Sequence, residues 1–188
     1  MDAFAYLSVL LSIILGLAVQ QVLQGYRALI LSRGRVRFYW VPILWSVLIL
    51  LMVAQHWWAS FGLARHDDWT FPDFLVTLVT SGLIYMSAAI VLPDVPPDAE
   101  LDLDSHYWRE RRALFGLFTV TVASSILREW QLEGRLPLPE NFAFHGVFIL
   151  FGLTGLVTAR RRVHEAMALG MAAVITIYVV ALFMRLGS

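Results

Sequence analysis

Apolar residues in this chain come in long blocks and do not alternate with polar ones. Six blocks, at 3–31, 38–61, 74–92, 113–132, 142–159 and 166–184, approach the roughly 20 apolar residues that a helix needs to cross a bilayer. Arginines, aspartates and prolines fill the stretches between them. None of those stretches is long enough or polar enough to form a separate soluble domain. The pattern predicts an all-α integral membrane protein in which residues 1–188 form one domain, a bundle of six transmembrane helices. Such a bundle accommodates a weak 3+3 inverted repeat. Gln20-Gln21 and Ser124-Ser125 hold comparable places in blocks one and four, and a shift of 104 residues lays Phe38 on Phe142.

Composition supports lipid as the solvent. Hydrophobic residues make up 59% of the chain and charged ones 15%, with a mean hydropathy of +0.71. Soluble domains carry about a quarter charged residues. The net charge is zero, which argues against nucleic acid as a partner. Cysteine is absent, so no disulfide, thiolate metal site or cysteine nucleophile is expected. Every basic residue is arginine, as in a GC-rich bacterial genome. The opening "MDAF" is acidic where a signal peptide would be basic, so the first block is expected to persist as a span.

The arginines orient the spans. Arg27, Arg33, Arg35, Arg37, Arg109, Arg111, Arg112, Arg160, Arg161 and Arg162 fall at the first, third and fifth connections, and Arg65, Arg128, Arg135 and Arg185 at the other end. Odd-numbered connections should face the cytoplasm and both termini the outside of a bacterial cytoplasmic membrane. Tryptophans, which favour the headgroup level, give the same layout. Trp40 and Trp108 mark one boundary, and Trp57, Trp58, Trp69 and Trp130 the other, while Trp45 lies a turn deeper.

Polar residues inside the blocks are the candidate chemistry. Ser8, Ser12, Gly16, Gln20 and Gln24 recur every fourth residue and share one helix face. Lipid offers no hydrogen-bond partner, so that face must meet protein or water. It can pack against a helix, the commoner use of such a stripe, or line a solute pathway. Gln21 is off the stripe and within reach of the inner headgroups. In block four, only the fifteen residues 113–127 separate Arg112 from Arg128, about 22 Å of helix. Arg128 and Glu129 therefore either sit inside the outer hydrocarbon boundary or snorkel to water, and Ser124 and Ser125 add a polar face to this block.

His56 and His145 lie at similar depth and could ligate a metal or a haem, or titrate as a pair, although no carboxylate accompanies them. Without that remote option, no cofactor is expected. Asp98, Glu100, Asp102 and Asp104 alternate ahead of His106, but they miss the calcium-loop pattern and read as a solvated loop. No HExxH, GxSxG or Walker signature is present, so nothing points to an enzyme. The sequence reads as a small oligomeric channel or transporter for an ion or small solute. The alternative is a non-catalytic accessory or scaffold subunit of a membrane complex, and a haem-binding or enzymatic membrane protein is a remote third. The expected partners are the lipid bilayer and further copies of the chain or other membrane subunits.

Overall fold

Each apolar block falls largely on a helix of the computed structural model, which describes residues 3–65, 68–94 and 100–182. Among these residues the helices are α1 (Ala3–Leu31), α2 (Trp40–Ser60), α3 (Phe71–Val91), α4 (Leu103–Glu133), α5 (Pro139–Val157) and α6 (Arg161–Leu182). Two-residue strands β1 (Val36–Arg37) and β2 (Leu101–Asp102) pair in parallel. Asp67, Asp98, Met184 and Arg185 fall outside the described residues.

Local chemistry sets the helix starts. At α3, Thr70 accepts from the Asp73 amide, and the Asp73 carboxylate accepts from the Thr70 amide at 3.0 Å. Such a box satisfies donors that a helix start leaves open, worth about 1 kcal/mol. At α4, the Asp102 carboxylate caps the amides of Asp104 and Ser105 at 2.9 and 3.0 Å. Pro139 opens α5. Gly134 ends α4 at φ 67°, a left-handed conformation that L side chains rarely adopt.

Five of these helices, all but α4, are long and apolar enough to cross a membrane. That makes the chain a multi-pass membrane protein in character, with five such helices where the sequence led us to expect six. The charged turn 109–112 is helical too, so α4 starts ten residues before the apolar block and reaches about 46 Å over its 31 residues. The helix tolerates this start because Arg109 and Arg112 point to solvent while His106 and Tyr107 turn inward.

The connections gather at two ends. β1 meets β2, Arg37 pairs with Asp102 at 3.2 Å, and Arg161 pairs with Asp104 at 3.3 Å. The first, third and fifth connections therefore share one end. Gly62 and Leu63 lie near Glu133 and Arg135 at the other. α4 runs between the two ends, and packs along α3 on one side and α5 on the other. α1 lies along α3, whereas α4 and α6, which a 3+3 repeat would match to that pair, do not lie along each other and meet through side chains such as Tyr107 and His164. The packing does not repeat at this pair.

The core is aromatic. Trp45 is 1% exposed and meets the edges of Phe115 and Phe118 at 5.0 and 5.9 Å. A Cβ on Gly155 would collide with the Phe115 ring, so glycine is what lets α5 approach α4 there. Leu, Val, Ile and Phe side chains are widely exposed around the bundle, Leu17, Leu51, Leu150 and Ile177 among them. That is the surface a lipid-facing bundle presents.

Candidate functional site

A cavity of about 650 Å³ occupies the half of the bundle away from the β1–β2 end. α2, α3, α4, α5 and α6 all contribute to its wall. Exposed Gly62, Glu133 and Arg135 stand at its rim. Phe118 lines its floor, and behind Phe118 lies the Trp45–Phe115 contact.

Polar bonds join neighbouring helices around it. Nε2 of His56 lies 3.1 Å from Ser81 Oγ, linking α2 to α3. Thr80 donates to Ser124 at 3.0 Å, linking α3 to α4. Ser125 Oγ lies 3.0 Å from Nε2 of His145, and Asn141 Nδ2 donates to Glu129 Oε2 at 3.1 Å, linking α4 to α5 twice. Tyr178 donates to Asn141 Oδ1 at 3.2 Å, linking α5 to α6. In a dry bundle each unpaired polar group costs free energy, so bonds of this kind hold helices in one register.

Arg128 is the exception. Its Nη1 is buried at the cavity wall and has no hydrogen-bond partner. Glu129 beside it also lines the cavity, yet no ion pair joins the two among the described residues. A guanidinium nitrogen buried without a hydrogen bond is expensive, and an ionisable residue at membrane depth is a candidate for function.

The structure therefore brings six of the sequence candidates together. His56, Ser125, Arg128, Glu129 and His145 line one cavity, and Ser124 bonds to the lining residue Thr80. The sequence left open whether Arg128 snorkels, and here its Nη1 is turned into the bundle. The two histidines share the cavity, but His145 has both ring nitrogens engaged. Nδ1 donates to the Asn141 carbonyl at 2.7 Å, which leaves Nε2 to accept from Ser125. A metal at His145 would have to break one of these bonds. No group of three metal-capable side chains occurs among the described residues.

The α1 stripe lies elsewhere. α1 packs through Leu7, Leu11, Leu15, Ala18 and Val22. Ser8 is half-buried, while Ser12, Gly16, Gln20 and Gln24 point out of the bundle. A Cβ on Gly16 would meet nothing within 4 Å. The glutamine that turns inward is Gln21, whose Nε2 donates to Tyr85 Oη at 3.2 Å, so it does not reach for the headgroups. The physical reason is that lipid tails are as apolar as a Leu-rich core, so polarity does not tell which face of α1 packs.

Asn141 and Tyr178, whose side chains bond across the cavity wall, escaped the sequence reading. A signal for Asn141 was present: it is the sole asparagine of the chain and stands at the mouth of an apolar block. Nothing local marks Tyr178, since its role comes from facing Asn141 across two helices.

No protein-family model, curated protein or solved structure matches the chain.

Proposed function

We propose that this protein binds a small polar solute in the cavity and carries it across a bacterial cytoplasmic membrane. The observation that supports this is the unpartnered Nη1 of Arg128 at the wall of a cavity of about 650 Å³. In this reading α4 is the sixth crossing, packed between α3 and α5. The arginine-rich β1–β2 end faces the cytoplasm, both termini face outward, and the cavity opens outward. Cysteines placed at Arg35 and Arg161 should then be shielded from an impermeant thiol reagent in intact cells, and one at Asp68 should be labelled. Labelling at position 35 or 161 would reverse the orientation.

Transport is tested in proteoliposomes with labelled amino acids, monocarboxylates, amines, sugars and chloride. Wild-type protein should pass at least one class, and Arg128→Met should abolish that flux. If no solute passes, the carrier reading fails.

A second reading, an accessory subunit of a membrane complex, draws on the outward amides of Gln20 and Gln24. A reproducible heteromeric partner in mild-detergent purification, together with absent flux, would favour it.

A further inference from the structure

We infer that the solute is a zwitterion of the α-amino-acid class, its carboxylate held by the Arg128 guanidinium and its ammonium by the Glu129 carboxylate. This inference rests on the carrier reading and adds the class of substrate to it.

Arg128 and Glu129 are consecutive residues of α4, and both line the cavity. Side chains at consecutive helix positions point about 100° apart, and no ion pair joins these two. The Glu129 carboxylate is instead held aside through Oε2 by Asn141, which is itself held by Tyr178. Arg128 Nη1 is buried without a hydrogen bond. Two opposite charges thus line one cavity, and the guanidinium has bonding capacity left.

Charge decides among the solutes that could fill it. A monoanion on Arg128 would leave Glu129 as an uncompensated negative charge beside it. A monocation on Glu129 would leave Arg128 unpaired. A zwitterion pairs both and leaves the site neutral, the cheapest outcome where the dielectric is low. A guanidinium matches a carboxylate as a two-pronged fork, and a carboxylate accepts well from an ammonium. Leu51, Met52, Ile175 and Val179 give the cavity an apolar side that suits the substituent of such a molecule.

The test is calorimetry on the purified full-length chain in detergent, titrated with each of the common α-amino acids. The best binder is then compared with its deaminated carboxylate and its decarboxylated amine. Both analogues should bind at least tenfold more weakly than the zwitterion. Glu129→Gln and Arg128→Lys should each weaken zwitterion binding tenfold or more with unchanged helix content. Glu129→Gln should also narrow the gap between zwitterion and carboxylate, which a merely structural role would not do. Equal binding of the plain carboxylate, or an indifferent Glu129→Gln, overturns the zwitterion and leaves the carrier reading standing. The same holds if another solute class passes in proteoliposomes while no amino acid binds. If nothing binds and nothing passes, both fall.

Discussion

The phenol of Tyr107 and Nδ1 of His164 lie 2.6 Å apart inside the bundle, joining α4 to α6 near the β1–β2 end. Both residues are almost wholly buried, at 2% and 0% exposure. Nε2 of His164 sits 3.0 Å from the Thr158 carbonyl, which can only accept. The ring therefore donates there, and Nδ1 receives the Tyr107 proton. Tyr107→Phe strands a buried acceptor and should cost about 1–3 kcal/mol in equilibrium unfolding in mixed micelles. Solute binding in the distant cavity should be unchanged. An unaltered unfolding free energy would mean that this bond contributes nothing.

Arg128 carries the opposite expectation. Ordinary core residues lose stability when replaced, but Arg128 keeps Nη1 buried without a hydrogen bond, which leaves part of its desolvation cost unrelieved. Arg128→Met, similar in volume and uncharged, should raise the stability of the ligand-free protein by about 1–4 kcal/mol while abolishing solute binding. A loss of 3–5 kcal/mol, the size seen when one member of a buried ion pair is removed, would show instead that Arg128 is paired.

The outward face of α1 supplies a third test. Ser12 and Gly16 border a groove against α2 that also includes Trp57, and nothing in the single chain fills the space over Gly16. Gly16→Leu should leave the fold of one chain intact. Gly155→Ala, by contrast, meets Phe115 and should cost about 1–3 kcal/mol through overpacking. The two outward amides are poorly placed against lipid, so Gln20→Leu with Gln24→Leu should also preserve the fold. If this face binds further copies, these α1 variants should shift the oligomer to smaller species in crosslinking, at about 0.5–2 kcal/mol per lost amide contact. An unchanged oligomer would exclude the stripe from any such contact.

Acid should loosen the start of α4. The Ser105 amide, above all, holds the Asp102 carboxyl below its ordinary pKa, with the Ser105 hydroxyl, Arg37 and the Asp104 amide assisting. A depressed carboxyl contributes stability above its unfolded pKa and loses it as pH falls through the folded value. The β1–β2 end should therefore be firm above about pH 4 and open below it. Hydrogen exchange at Asp104 and Ser105 should rise in that range, and Asp102→Asn should flatten the dependence because its amide caps without titrating. A wild-type profile as flat as the variant's would remove Asp102 from this role.

The blocks at 3–31, 38–61, 74–92, 142–159 and 166–184 were legible as helices because a span is a local property. About 20 apolar residues fill a bilayer whatever they pack against, and backbone groups in lipid have no partner but their own helix. The alternation of the connections between two ends was legible for a related reason, since arginines and tryptophans respond to the interface and not to neighbouring helices. The charged residues at positions 109–112 were harder to read, and only the structure carried α4 back to Leu103.

What the sequence could not determine was which faces meet. In water, an apolar face marks the core, but in lipid both sides of a helix are apolar, so the hydrophobic pattern no longer points inward. That is why Gln21 and not Gln20 faces Tyr85, and why Leu7, Leu11 and Leu15 pack while Ser12 and Gly16 do not. Individual polar residues stood out one by one, as His56, Ser125, Arg128, Glu129 and His145 did. Their meeting in one cavity, with Asn141 and Tyr178 added, depended on how five helices rotate about their axes. Only tertiary packing fixes those rotations, through contacts such as Gly155 on Phe115 and Trp45 on Phe118.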